Sequence, residues 1–325
     1  MHDYLVRATG AQGRVRVLVA RTTDLVDDAR RRHGLSATAT AALGRALTGA
    51  ALLGATLKGA QTVTLRVAGD GPLGGIVADA DASGHVRGYA RNGAVELPPR
   101  ADGKLDVSGA VGSSGYLHVV RDLGLKQPYA GSCRLVSGEI AADLAAYFRR
   151  SEQIPSAVGL GVLVGPGGRV RGAGGYLLQL LPGRQMSPAL QPPPGADDEL
   201  ARGLEDNVNA LGGVSRWVAA SVTPEQLARR LLGASPRILG RQPLAFACRC
   251  SPEKVRELVA AIGPGELDDA VASGEGVELC CRFCGTKYHY TAGELARVLA
   301  GAREAPPSGD GDDGDGDGKG QITPA

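Results

Sequence analysis

Two tight cysteine pairs dominate the chemistry of this chain. Cys248-Arg249-Cys250 stands before Cys281-Arg282-Phe283-Cys284, with 30 residues between them. Four thiolates carried on short turns are the donor set of a closed, tetrahedral zinc site. Gly285 follows the second pair and suits the turn a zinc knuckle needs. The interval is longer than in an ordinary zinc ribbon, and one inserted helix accounts for it. The first pair is C-x-C rather than C-x-x-C. Residues two apart on an extended chain share a face, so both sulfurs can reach one metal. They can also reach each other, in a strained disulfide of the labile, regulatory kind. Thiolates are the form that oxidants attack, so oxidation would expel the metal.

A unit of about 60 residues gains only ~3–5 kcal/mol from its own core. A structural zinc contributes on the order of 10–16 kcal/mol. Loss of the metal should therefore unfold the small unit, and the spacing predicts a device that turns oxidant into local unfolding. The bland alternative is a chance cluster of free cysteines. His289 lies close to the cysteines and is a conceivable spare ligand, but four thiolates already close the site, which places it on the hairpin outside the metal. Cys133 is isolated and reads as a small buried residue. None of the five histidines pairs with a Ser or Cys in a recognisable nucleophile motif, and no enzymatic activity is expected.

The elements that must position these cysteines fall into three stretches. Hydrophobic residues make up 43% of the 325-residue chain, enough for two domains and a buried core, and the 49 glycines favour turns and sheet over an all-helical fold. Leu5–Ala8 and Val15–Val19 read as strands. Leu43, Leu47, Ala50, Leu53 and Leu57 form a helix stripe. Thr62–Val67, Gly75–Ala78 and Val86–Tyr89 read as further strands, and Ile140, Leu144, Tyr147 and Phe148 mark a second helix. A Pro-rich hinge, Gln191–Gly195, opens a helical connector. It carries Leu200, Leu204, Val208 and Leu211 at helical spacing, then a capping box at Thr223-Pro224-Glu225-Gln226. Beyond it, Ser251-Pro252 starts a helix that Gly263-Pro264 ends. Val277 to Tyr290 reads as a hairpin with Cys281–Cys284 near its tip, and Thr291–Glu294 caps a last helix. The expected class is α+β: an N-terminal sheet-and-helix core at 1–183, a helical linker at 184–238, a four-Cys zinc domain at 239–300, and a disordered Gly/Asp tail at 301–325.

Charge and hydropathy narrow the partners. The net charge is only +2, with 22% charged residues, which is weak for a nucleic-acid or acidic-membrane binder. The segment Met1–Arg7 carries a charge where the apolar stretch of a signal peptide would begin. The best candidate for a membrane span, Ala46–Leu57, is closed by Arg45 and Lys58 and is too short. A cytoplasmic location is expected, where clustered cysteines point to metal or redox chemistry rather than structural disulfides.

Several segments together resemble one family. They are Ala42-Leu43-Gly44-Arg45 with Leu57-Lys58, Gly69-Asp70-Gly71-Pro72-Leu73-Gly74, and Val86-Arg87-Gly88-Tyr89. To these add Tyr147-Phe148-Arg149-Arg150-Ser151-Glu152-Gln153-Ile154-Pro155, then Ala173-Gly174-Gly175-Tyr176 with Gln179-Leu180-Leu181-Pro182, and C-x-C followed by C-x-x-C-G. The chain resembles the redox-regulated 33-kDa heat-shock chaperones over most of its first 300 residues. The resemblance implies an ATP-independent holdase that prevents aggregation under heat and oxidative stress. Such proteins bind one zinc and are inactive when reduced. On oxidation they form disulfides that correspond to Cys248–Cys250 and Cys281–Cys284, release zinc, loosen the linker and bind unfolding client proteins, commonly as homodimers. Leu200, Leu204, Val208, Trp217, Leu227 and Leu231 are then the residues expected to be newly exposed to clients; the alternative is that they stay buried as ordinary helix packing. Cys280 departs from the pattern. It could replace Cys281 as ligand or pair with Cys284, and reads better as a small residue on the hairpin.

Other signals carry less. Gly69–Gly74 formally matches a dinucleotide fingerprint, but no helix opens after it and no acid stands about 20 residues on, so a tight turn is expected. Asp313–Gly318 resembles the start of a calcium loop, but Pro324 sits where the bidentate acid belongs. A zinc-ribbon nucleic-acid module is the competing function. Residues 240–300 hold seven Lys/Arg against eight Asp/Glu, a net −1 before the thiolates count, which is a poor phosphate-binding surface. A C-x-x-C oxidoreductase would place its motif at the start of a helix in a βαβ unit, not in a hairpin.

Overall fold

The computed structural model describes residues 2–304 apart from 182–195, 221, 234, 263–266, 268 and 270. Two compact units emerge. The first holds residues 1–249 together with 281–286, and the second holds 250–280 and the chain from 287 onward. The Pro-rich Gln191–Gly195, the Gly263-Pro264 helix end and the Asp-rich stretch 313–318 lie outside the described residues.

The first unit opens with strands β1 (Tyr4–Gly10) and β2 (Val15–Arg21) and helices α1 (Thr23–His33) and α2 (Ala37–Gly54). Strands β3 (Thr62–Gly69), β4 (Ile76–Asp81) and β5 (His85–Ala90) follow, then α3 (Val107–Val111), β6 (Gly115–Asp122), β7 (Tyr129–Arg134) and α4 (Ala141–Tyr147). The long hairpin β8 (Ser156–Val164) and β9 (Val170–Leu180) precedes helices α5 (Ala196–Leu211), α6 (Val214–Ala219) and α7 (Pro224–Leu232), and the unit continues into β10 (Arg237–Pro243) and β11 (Ala245–Phe246). One sheet runs β10-β1-β2-β9-β8, and the other runs β11-β5-β4-β3-β6-β7. All neighbours are antiparallel except β11, which adds to β5 in parallel.

Side-chain alternation explains how these layers stack. In β2, Val15, Val17 and Val19 face one way while Leu18 and Ala20 face the other, and all five are buried. A sheet with both faces apolar must be covered twice. Its inner face meets α2, which packs between strands of both sheets. That helix is buried almost all round, as an Ala/Leu/Thr/Gly helix with no polar face must be. Ser36 caps it by accepting from the Ala39 amide. At Gly44 a Cβ would stand 2.6 Å from Val26 and 2.8 Å from Val162, so hydrogen alone lets α1 and β8 close on the helix. The outer face, with Val6, Val17, Val19, Tyr176 and Leu178, is covered by α5, α6 and α7. In α7 the capping box is formed as its sequence predicts, with Thr223 accepting from the Gln226 amide.

The Gly69–Gly74 segment is a turn that leads directly into β4 with no helix after it. Asp70 Oδ1 accepts from the Ser114 amide, and the Gly71 amide donates to the Val111 carbonyl. Residues 237–246, which straddle the expected linker and zinc domains, pair with β1 and β5. The apolar stretch 46–57 is mostly the buried α2 and its exit. Among the described residues, no helix is long and apolar enough to cross a membrane.

Asp3 gives this unit a pH dependence. Thr22 makes no side-chain cap for α1; instead Asp3 Oδ2 accepts from the Leu25 amide at 2.7 Å. Burial pushes the Asp3 carboxyl from 3.8 up to about 7, against the weaker pull of the Leu25 amide. The folded state thus holds a proton that the unfolded state releases, and stability falls as pH rises from about 4 to about 7. Asp3→Asn keeps an acceptor for Leu25 and cannot ionise. Its melting temperature should gain on the wild type progressively across that window and stay level above it. A gap that does not change with pH would show that the carboxyl is not raised.

The second unit holds α8 (Pro252–Ile262), the hairpin strands β12 (Val277–Cys280) and β13 (Lys287–Tyr290), and α9 (Ala292–Glu304). Val259, Leu267, Leu295 and Leu299 form its buried centre, flanked by Val277, Leu279 and Tyr290. Thr291 and Glu294 form the expected reciprocal cap. A core this small supplies little stability by itself.

Candidate metal centre

Cys248 and Cys250 sit on extended chain just after β11, where alternation points Arg249 the other way. Arg249 donates to Asp81 Oδ2 at 2.7 Å. Burial works to raise the Asp81 carboxyl, but Arg249 and the amides of His85 and Ser83 take it below its ordinary value. The middle residue of C-x-C is therefore tied to the end of β4, which sets the direction of both sulfurs.

Cys281 and Cys284 lie in the turn between β12 and β13, as the hairpin reading expects. The Gly285 amide donates to the Cys281 carbonyl at 2.8 Å and the Cys281 amide to the Thr286 carbonyl at 2.9 Å. Gly285 adopts φ +71°, the left-handed conformation that favours glycine. The result is a knuckle that turns both sulfurs inward.

All four sulfurs lie within 4.8 Å of one another. Zn–S bonds of about 2.3 Å set tetrahedral sulfurs about 3.8 Å apart. Cys248 Sγ and Cys281 Sγ are 3.7 Å apart, far beyond a disulfide bond and matched to that edge. The donor set therefore fits a four-thiolate zinc. Burial pushes the Cys281 thiol well above its ordinary value, so a cation is what would keep this sulfur ionised. Around the sulfurs stand polar groups: the Tyr288 hydroxyl donates to Cys250 Sγ at 3.1 Å, the Thr286 hydroxyl lies 3.2 Å from Cys284 Sγ and accepts from it, and Arg87 Nη1 lies 3.8 Å from Cys248 Sγ. Such outer groups orient ligands and temper their charge.

The remaining candidates separate clearly. Cys280 is exposed on β12 opposite Lys287 and does not join the four-sulfur group. His289 lies opposite Glu278, with Nε2 3.4 Å from its carboxylate, and also stays outside the group. Cys133 is buried beside the Asp143 carbonyl. Of the residues expected to meet clients, Leu204, Trp217, Leu227 and Leu231 are buried against the outer face of the β10-β1-β2-β9-β8 sheet, and Leu200 and Val208 are partly buried there. Arg87, Tyr288 and Thr286 were not among the expected site residues. Strand alternation in Val86-Arg87-Gly88-Tyr89 was the available signal for Arg87, because it puts Arg87 and Tyr89 on one face.

Comparison with known proteins identifies the family. Residues 3–291 match the family model described as Hsp33 protein. A 33 kDa chaperonin of Symbiobacterium thermophilum is 51% identical over 306 residues, covering 94% of this chain and 99% of that one. The 33 kDa chaperonin of Bacillus subtilis is 42% identical over 293 residues, covering 90% and 97%. The crystal structure of the 33 kDa chaperonin (heat shock protein 33 homolog) of Thermotoga maritima superposes with a TM-score of 0.83 at 36% identity, covering 94% of this chain and all of that one. With the family model matched along most of its length and a cysteine cluster able to hold a metal, this chain belongs to the Hsp33 family of chaperones.

Proposed function

We propose that this chain is an ATP-independent holdase switched by the oxidation state of Cys248, Cys250, Cys281 and Cys284. The observation that carries the reading is the four-sulfur cluster, with its 3.7 Å edge, in a chain of a chaperone family. Zinc, when bound, holds the four sulfurs as thiolates and ties the C-x-C segment to the knuckle. On oxidation Cys248 bonds to Cys250 and Cys281 to Cys284. Each bond forms as two thiolates give two electrons to a peroxide, which takes up two protons and leaves as two waters. No thiolate then remains to hold the metal.

The client surface is the face that α5, α6 and α7 share with the outer sheet. Leu200, Leu204, Val208, Trp217, Leu227 and Leu231 supply its apolar side chains, and α7 is joined to Cys248 through β10 and β11. Release of these helices uncovers both their own stripe and the Val6, Val17 and Val19 face beneath. Unfolding proteins bind there, the oxidised form works as a homodimer, and the setting is the cytoplasm.

The test joins two readouts. Reduced protein is treated with peroxide or hypochlorite, zinc release is followed with a chromogenic chelator, and aggregation of a heat-denatured client is measured without ATP. Zinc loss together with new suppression of aggregation is the expected result. Zinc loss without suppression would leave a structural metal site and reject the switch.

A further inference from the structure

Phe283, the third residue of the C-x-x-C knuckle, is held in a socket made by the core. The Arg87 guanidinium stacks 4.1 Å from the centre of its ring, and the Tyr89 ring meets it edge-on at 5.4 Å and 85°. Both come from β5, two residues apart on one face. His33 Nε2 lies 3.2 Å from the Phe283 carbonyl. At Gly285 a Cβ would stand 2.7 Å from the Arg32 carbonyl, so the knuckle backbone is pressed on the end of α1.

Arg87 has a second task. Its Nε and Nη2 donate to Asp79 Oδ2 at 3.1 and 2.9 Å, which fixes the guanidinium plane, while Nη1 points to Cys248 Sγ at 3.8 Å. One planar cation thus touches a C-x-C sulfur by hydrogen bonding and the C-x-x-C knuckle by stacking. A lysine could make one of these contacts and not both.

We propose that Arg87 is a positioning residue that latches the knuckle onto the core sheet and couples the state of the Cys248 sulfur to the seating of Phe283. The proposal rests on the redox reading above and names the residue through which the core senses it. While Cys248 is a thiolate, Arg87 is held between Asp79, the sulfur and the ring. When Cys248 enters a disulfide, its sulfur loses its negative charge, the Nη1 contact weakens, and Phe283 is released from its socket. The latch also resists spontaneous metal loss, because the knuckle cannot swing away while Phe283 is seated.

The test is the rate at which full-length, reduced, zinc-loaded protein gives zinc to a chromogenic chelator with no oxidant present. Arg87→Gln and Phe283→Leu should each start with zinc bound and release it about three- to thirtyfold faster, the range of one cation–π contact from exposed to desolvated. Arg87→Lys should fall between wild type and Arg87→Gln. The double variant should be no faster than the faster single one, since both remove the same contact. Should Arg87→Gln fail to fold, Phe283→Leu and its combination with Arg87→Lys carry the same comparison. Release at the wild-type rate in the single variants, or fully multiplicative acceleration in the double variant, overturns the latch. Wild-type protein oxidised in parallel reports separately on the holdase reading: absence of aggregation suppression there rejects the switch, while the release rates still decide the role of Arg87.

Discussion

Cys281→Ser should cost the protein its stoichiometric zinc, while Cys280→Ser should leave zinc binding almost unchanged. The two residues are adjacent in sequence and differ by a hydroxyl for a thiol in each variant, so the contrast isolates geometry. Cys281 Sγ lies 3.7 Å from Cys248 Sγ inside the four-sulfur group, and its amide and carbonyl define the knuckle. Cys280 belongs to β12 and is exposed opposite Lys287. A serine hydroxyl stays protonated near neutral pH and is a poor zinc ligand. If a structural site is worth ~10–16 kcal/mol, one of four thiolates is worth on the order of 3 kcal/mol, more than a hundredfold in affinity. The effect should spread. Among the described residues the centre of the second unit is the small cluster of Val259, Leu267, Leu295 and Leu299, so hydrogen exchange in β12, β13 and α9 should accelerate in Cys281→Ser and not in Cys280→Ser. Equal zinc loss in the two variants would overturn the ligand assignment.

The clustering of the four cysteines was readable because metal-binding chemistry writes itself into short-range spacing. Two thiols on a turn need one or two intervening residues, and nothing distant changes that. Capped helices were equally readable. Ser251-Pro252, Thr223–Gln226 and Thr291–Glu294 carry their own hydrogen-bonding partners within four residues, and each starts a helix in the structure. The stripe through Leu43, Leu47 and Leu53 located α2, although the stripe understated it: the helix is buried on every side, because Thr40, Thr48 and Ala51 also face protein.

What stayed hidden depends on partners far along the chain. Strand β10 has no apolar alternation, and most of its residues are exposed; only its backbone, pairing Tyr4 with Pro243 and Val6 with Arg241, makes it part of a sheet. Sequence spacing alone therefore assigned residues 239–247 to the zinc domain. The hairpin β8–β9 is rich in glycine, and glycines erase the side-chain pattern that marks a strand. At Gly172 a Cβ would lie 2.1 Å from Val218 of α6, so the helix sits directly on the backbone there. The Arg87 socket was hidden for the same reason. Phe283 reads as an unremarkable residue inside C-x-x-C until Arg87 and Tyr89, almost two hundred residues earlier, are placed around its ring.

Truncating Leu231 should turn the reduced, zinc-loaded protein into a holdase without oxidant. Leu231 and Leu227 on α7 are completely buried against the outer sheet face, with Trp217 of α6 only 6% exposed in the same cluster. A buried Leu→Ala change costs about 2–5 kcal/mol. That loss falls on the docking of three helices over one sheet face. The inner core around Leu18, Leu43 and Leu65 lies on the other side of the sheet and keeps its packing. The cysteines are untouched, so zinc content should equal that of wild type. Trp217 is the only tryptophan in the chain, which makes its emission a direct gauge of undocking. In Leu231→Ala the emission should shift to the red before any peroxide is added, and aggregation of a heat-denatured client should fall in step. Wild type should show both changes only after oxidation. A red shift without aggregation suppression would mean that the uncovered face does not bind clients. Suppression with Trp217 still buried would place the client surface elsewhere, because the physical requirement of the proposed switch is that the apolar stripe of α5, α6 and α7 reach solvent before a client can use it.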